Sequence, residues 1–250
     1  ITLAIKAFKK LNLKKDLIKK IEVLIFVTES PIYNFPGNGV IFASYFNFKS
    51  NIRIYDLNSG CTGFVDALVL ANKFKQKSLI ICSETYSKHY KGFDRSTFPI
   101  FSDAATTFYY NKKIKLLKNI SGFKRNSFKN LYSINNKVQM NGSNVFNFVT
   151  SDVIPTLTKF LKKNKLKKIK KLYIHQASQL VIDVFKKKFK EYNFEIPTNL
   201  KKYGNTNAST IPILLTRDIE NNKVKKGDHV ILCGFGVGLS YNIALIKINE

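Results

Sequence analysis

Apolar residues recur along this chain in two patterns, and the alternation between them organises the whole sequence. Ala4, Ala7, Phe8 and Leu11 fall at helical spacing, with Lys6, Lys9, Lys10, Lys14 and Lys15 largely on the other face. That predicts an amphipathic helix over Ile1 to Leu17, already in progress at the first residue. Glu22 to Thr28 (EVLIFVT) and Ser78 to Ser83 (SLIICS) are continuous apolar runs of strand length, the kind covered on both faces of a sheet. Arg53 to Leu57, Ala104 to Tyr110 and Lys171 to Ile174 read as further strands. Helices are expected over Val40 to Phe48, Cys61 to Lys77, Val145 to Lys165, Ala177 to Lys190 and Ser209 to Asn221. Two last strands, His229 to Cys233 and Ser240 to Ile248, flank Gly234-Phe235-Gly236-Val237-Gly238.

Strands alternating with helices, and antiparallel strands at the end, indicate an α/β layered fold with a mixed sheet. The strand–helix–strand order recurs on each side of Asn111 to Gln139, a lysine- and asparagine-rich stretch that reads as an irregular connection. Two similar halves are therefore expected, residues 1–120 and 121–250.

Composition narrows the class. No apolar run approaches the roughly 20 residues needed to cross a bilayer, so no membrane insertion is expected. Three widely spaced cysteines (Cys61, Cys82, Cys233) argue against a disulfide framework or a zinc cluster and fit a reducing cytoplasm. The net charge of +26 draws polyanions, yet only four of the 42 cations are arginine: Arg53, Arg95, Arg125 and Arg217. Nucleic-acid readers lean on the arginine fork, so nucleic acid is not the expected partner. Solvated lysine faces, or lysines that steer an acidic protein, remain.

Three segments place reactive or polar side chains at strand–helix junctions. In Ser59-Gly60-Cys61-Thr62-Gly63 a cysteine stands between glycines at a helix start, where backbone N–H groups and the helix dipole favour a thiolate. In Tyr173-Ile174-His175-Gln176 a histidine ends a buried strand and points to the crevice where α/β proteins hold ligands. In Gly204-Asn205-Thr206-Asn207 a neutral carboxamide opens a helix and can donate without titrating. One Cys, one His and one Asn on three such junctions form a constellation suited to acyl transfer through a thioester.

These segments resemble, in order, the ketoacyl-acyl-carrier-protein synthase III family of the thiolase superfamily. Thr28 to Val40 is similar to its threonine-rich loop with Phe-Pro, and Cys61-Thr62-Gly63-Phe64 to its nucleophile motif. Asp94-Arg95-Ser96, Phe101-Ser102-Asp103-Ala104-Ala105, and Met140-Asn141-Gly142 with Val145-Phe146 resemble further signatures. His175-Gln176-Ala177, Gly204-Asn205-Thr206 and Gly236-Val237-Gly238 complete the set.

The resemblance implies a five-layered αβαβα fold lacking its first strand and following loop, and a homodimer joined along the strand before Cys61. It implies catalytic Cys61, His175 and Asn205, and an oxyanion hole from the backbone N–H groups of Cys61 and Val237. Substrate contacts would come from Phe35, reaching across the dimer, and from Arg95, Gly142, Phe146 and Phe235. No metal or other cofactor is implied; the substrates are acyl-CoA or acyl-carrier-protein thioesters, and acidic acyl carrier protein is the expected partner. Departures touch the periphery: Val237 stands where glycine is usual, Cys233 replaces a glutamate, and Leu180 replaces an arginine that helps dock the carrier. Transfer to an alcohol or amine without decarboxylation, on the same trio, is the alternative chemistry. A basic nucleic-acid-binding protein is the remote one.

Overall fold

The computed structural model describes residues 1–89, 100–111, 113–135, 137–164 and 168–249. Its strands are β1 (Val23–Val27), β2 (Arg53–Leu57), β3 (Ser78–Glu84), β4 (Ala104–Tyr110) and β5 (Ile114–Phe123). They continue with β6 (Leu131–Ile134), β7 (Lys137–Met140), β8 (Lys171–Ile174), β9 (His229–Gly236) and β10 (Ser240–Ile248). The helices are α1 (Thr2–Lys10), α2 (Lys15–Ile18), α3 (Asn38–Ala43), α4 (Gly63–Phe74) and α5 (Gly142–Phe148). The last four are α6 (Ile154–Lys163), α7 (Gln179–Lys188), α8 (Leu200–Tyr203) and α9 (Thr210–Glu220).

Two four-stranded sheets run in the orders β2-β1-β3-β4 and β5-β10-β9-β8. Within the first, β1 pairs in parallel with β2 and β3, while β4 is antiparallel. The period of two along a strand, with both faces covered, explains why β1 is apolar throughout and β9 is apolar after His229. Leu24 and Phe26 of β1 face an outer cluster with Ala4 and Phe8 of α1 and Phe42 of α3, whereas Val23, Ile25 and Val27 face inward. Likewise Ile231, Cys233 and Phe235 of β9 join Leu157 of α6 and Ile182 and Phe185 of α7, and Val230 and Leu232 point the other way. Between the sheets lie α4 and α9, whose Phe64, Leu68, Ile211 and Leu215 touch both inner faces. The stack is therefore helix, sheet, helix, sheet, helix: the five layers expected. No helix among the described residues is long and apolar enough to cross a membrane.

Some element boundaries differ from the sequence expectation. The first helix stops at Lys10 because Asn12 takes a left-handed φ of 47°, and α2 restarts after it. The helix expected over Val40 to Phe48 is shorter and earlier. The one expected from Val145 begins at Gly142, where the Asn141 side chain accepts from the Asn144 N–H at 3.0 Å, and passes through a π turn at Val149–Val153. The largest correction concerns the supposed irregular connection from Asn111 to Gln139. It holds β5, paired antiparallel with β10 along its length, and the β6–β7 ribbon. Because β5 spans residue 120 and belongs to the second sheet, the two sheets divide the chain between β4 and β5.

Candidate active site

The cysteine turn follows directly from the end of β2. Gly60–Thr62 forms a single 3-10 turn that runs into α4, and Cys61 is buried within it. Thr62 anchors the helix start by donating to Asp66 Oδ2 at 2.5 Å, and Asp66 Oδ1 accepts from Asn242 Nδ2 of β10 at 2.7 Å. The opposite wall is the end of β9. Gly236 sits at φ 155°, and a Cβ there would lie 2.7 Å from Cys61 Sγ, so only glycine lets the two strands of chain approach this closely. The backbone N–H groups of Val237 and of Cys61 itself favour the charged form of the sulfur.

His175 follows β8, its own N–H bonded to the Cys233 carbonyl at 2.9 Å. Its ring meets Phe235 edge-on at 5.6 Å, and Phe235 stacks on Phe185 at 5.5 Å. Burial lowers the imidazole pKa to about 3, with the Asn207 backbone opposing that in part, so the ring is neutral at ordinary pH. Its Nδ1 is buried and unpartnered. Asn205 is pinned by its main chain, with its N–H on the Ile100 carbonyl at 2.9 Å and its carbonyl accepting from Ser102 N–H at 2.8 Å. Its side-chain oxygen accepts from the Asn207 N–H at 3.0 Å, which fixes the amide so that its NH2 donors face away from that turn.

Asn207, two residues beyond Asn205, is the hub. Its N–H orients Asn205, its backbone lies against His175, and its Nδ2 donates to Glu29 Oε2 at 2.8 Å. Glu29 in turn packs beneath Gly60, where a Cβ would meet its carboxyl at 2.6 Å. The cysteine, histidine and asparagine segments thus converge on one set of contacts.

Two glutamates, Glu84 buried and Glu29 half-buried, were not foreseen. Glu84, at the end of β3, accepts from the Glu29 N–H on both oxygens at 2.9 and 3.1 Å and from the Ser30 hydroxyl at 2.9 Å. Glu29 Oε2 also accepts a short hydrogen bond from the Tyr86 hydroxyl. Burial raises the pKa of both carboxyls, and Glu84 is raised further by the charge of Glu29. The signal was present: parallel neighbours β1 and β3 are in register at Val27 and Cys82, and each apolar run is followed two residues later by a glutamate.

This environment reverses the expectation for the thiol. Burial first, and the Glu29 charge second, push the Cys61 pKa well above its ordinary value despite the two N–H groups that favour the thiolate. The resting sulfur is a thiol.

A cavity of about 320 Å³ adjoins Val237, lined by Leu131, Tyr132 and Val138 of the β6–β7 ribbon, Phe128, Glu29 and Tyr86 among others. The remaining expected substrate residues lie elsewhere. Phe235 is fully buried behind His175, Phe146 is half-buried against the core, and Gly142 is exposed at the start of α5. Phe35 is 86% exposed, beside exposed Ile32 and Tyr33, and does not reach the cavity of its own chain. Arg95 lies outside the described residues. Among the described residues no three His, Cys, Asp or Glu side chains are grouped to hold a metal ion.

Comparison with known proteins gives this geometry a lineage. Residues 55–121 match the family model 3-oxoacyl-[acyl-carrier-protein] synthase III, and residues 161–248 match its C-terminal counterpart. A beta-ketoacyl-[acyl-carrier-protein] synthase III of Clostridium perfringens is 32% identical over 272 residues, covering 98% of this chain and 84% of that protein. The synthase III structure from Thermus thermophilus superposes with a TM-score of 0.86 at 25% identity, covering 98% of this chain and 83% of that one. The structure from Aquifex aeolicus does so at 0.84 and 26%, covering 98% and 82%. With its five layers, its cysteine turn and these matches across both sheets, the chain belongs to the 3-oxoacyl-[acyl-carrier-protein] synthase III family.

Proposed function

We propose that the protein is a condensing acyltransferase that loads an acyl group on Cys61 and joins it to a malonyl unit held on acyl carrier protein. The observation that carries this reading is the close approach of the Gly236–Val237 turn to the Cys61 sulfur, where no room is left for a Cβ and backbone N–H groups favour negative charge. Donors fixed there stabilise negative charge as it develops on a thioester oxygen or on the sulfur itself.

In the first step Cys61 attacks the carbonyl carbon of an acyl thioester. The C–S bond to the donor breaks, the thiol proton leaves with the departing thiol, and acyl-Cys61 remains. The tetrahedral oxyanion would rest on the N–H groups of Cys61 and Val237. In the second step the malonyl thioester loses carbon dioxide, and its carbonyl oxygen takes the electron pair as an enolate. His175 and the Asn205 NH2 group would donate to that oxygen. Both suit the task because neither carries charge: His175 is neutral by burial, and a carboxamide does not titrate near pH 7. The enolate carbon then attacks acyl-Cys61, releasing a 3-oxoacyl thioester and a sulfur that regains one proton from solvent. Substrates enter as thioesters, and no cofactor takes part in the scheme.

We place the carrier protein against the lysines of α7, Lys186, Lys187 and Lys188, with Lys190 beyond them, because acyl carrier proteins are acidic. A homodimer along the exposed edge strand β2 would cover Ile32, Tyr33, Phe35 and Val40, all exposed in the single chain. Three free buried cysteines accord with a reducing cytoplasm.

The test is acyl-adduct mass spectrometry of the intact protein with acyl-CoA donors, followed by malonyl-carrier protein labelled in its free carboxyl. Adduct on Cys61 and release of labelled carbon dioxide are expected. Adduct without carbon dioxide would favour transfer to an alcohol or amine instead.

A further inference from the structure

The scheme above leaves Glu29 without a task, although its carboxyl packs directly under Gly60 of the nucleophile turn. It occupies the end of the β1 run, lines the 320 Å³ cavity beside Val237, and packs its Oε1 under Gly60. Oε2 is held by the Tyr86 hydroxyl and by Asn207 Nδ2, so the carboxylate plane is fixed. Oε1 accepts no hydrogen bond among the described residues. The cavity is thus unequal: Leu131, Val138 and Phe128 make an apolar side, while Glu29, Tyr86 and Asn58 are polar.

Val237 both approaches the Cys61 sulfur and lines this cavity, so an acyl chain on Cys61 that extends along Val237 would enter it. A plain alkyl chain would strip water from the Glu29 carboxyl and replace it with methylenes, leaving a buried polar group unsatisfied. A chain with a hydroxyl at the right carbon would restore the lost hydrogen bond and keep its remaining methylenes on the apolar side. Sites built around such a bond discriminate sharply against analogues that lack it. Burial, which holds the carboxyl above its ordinary pKa, does not alter this, since either protonation state can accept from a hydroxyl.

We infer that Glu29 is a specificity-determining residue, selecting an acyl group that carries a hydroxyl a few carbons from its thioester. This rests on the reading of Cys61 as the acyl acceptor. The experiment times acylation of the full chain by butyryl-CoA, 3-hydroxybutyryl-CoA and 4-hydroxybutyryl-CoA in pairwise competition, read as intact mass. The better hydroxyacyl donor is expected to load at least about tenfold faster than butyryl. In Glu29→Met, which replaces the carboxyl with an apolar group of similar size, the ratio should fall to about one. A wild-type ratio near or below one, or a ratio unchanged in Glu29→Met, overturns the assignment to Glu29 while leaving Cys61 as acceptor. Absence of any adduct on folded wild-type protein overturns both readings. The wild-type ratio alone decides the matter should the variant fail to fold.

Discussion

Asn205 spends its side-chain oxygen on the N–H of Asn207, two residues along the chain, at 3.0 Å. The amide is therefore fixed with its NH2 group turned away from Asn207, and under the proposed mechanism the cost of changing it can be stated. In Asn205→Asp the carboxylate still accepts from Asn207, so the turn and the fold persist. The donor is lost, and a negative charge faces the enolate. Decarboxylative condensation should fall by about 100- to 1000-fold or more, while acyl-Cys61 still forms. Single-turnover measurement of the two half-reactions checks this; equal loss of both would remove Asn205 from the second step.

Gly236 tests the proposed oxyanion role of the turn against Cys61. Alanine there would put a Cβ 2.7 Å from Cys61 Sγ at a φ of 155°, where side chains are strained. Gly236→Ala should displace the turn that carries the Val237 N–H. Acylation should slow by at least about tenfold, and stability should drop by about 1–3 kcal/mol, read by adduct formation and denaturant unfolding.

His175 makes stability depend on pH in a definite direction. Its folded pKa of about 3 lies below the unfolded value of 6.5, so the unfolded chain binds the proton first. The contribution is fully present above pH 6.5 and is lost as pH falls from there toward 3. Glu29 and Glu84, raised in the fold, act oppositely, favouring folding at low pH and losing that contribution as pH rises above the ordinary carboxylate range. The difference is isolated by comparing wild type with His175→Asn at pH 7 and pH 5. Wild type should lose up to about 2 kcal/mol more than the variant over that interval. Parallel losses would show that His175 is protonated in the fold.

Away from the site, Lys171 is buried between Asp218 at 2.9 Å and Glu195 at 2.8 Å, and Tyr173 also donates to Asp218 at 2.9 Å. Asp218→Ala would leave a buried ammonium with one partner, at a solvent-exposed carboxylate, and would remove the acceptor of the buried Tyr173 hydroxyl. A loss of about 3–5 kcal/mol is expected in chemical unfolding. Replacement of Glu195, more than half exposed, should cost under about 1 kcal/mol.

Much of the layered fold was legible because both faces of its central strands are covered. Arg53–Leu57, Ala104–Tyr110 and Lys171–Ile174 match the observed strands residue for residue. What escaped was β5. Its exposed positions carry Lys115, Asn119 and Ser121, and its partner β10 lies more than a hundred residues away, so no local pattern marks it. The β6–β7 ribbon is paired locally but escaped because its two four-residue strands are mostly exposed, and with it went the apolar side of the cavity. Cys61, His175 and Asn205 stood out because each ends or opens an element next to glycine or a buried run. Glu29 did not, since an acid after an apolar run looks the same whether it meets water or another strand end. Only the pairing of β1 with β3 reveals that two such acids meet.

The sulfur arrives at the start of the helix that opens from the first sheet, whereas the His175 imidazole, the Asn205 carboxamide and the Val237 N–H arrive from the second half of the chain. Their separation is consequently gauged by the hydrocarbon filling sandwiched between the sheets. Enlarging or trimming a side chain such as Ala67, Leu68 or Leu215, none of which touches substrate, would alter the reach from nucleophile to donor. Rate constants in this enzyme should thus respond to remote packing changes as a vernier responds to its screw.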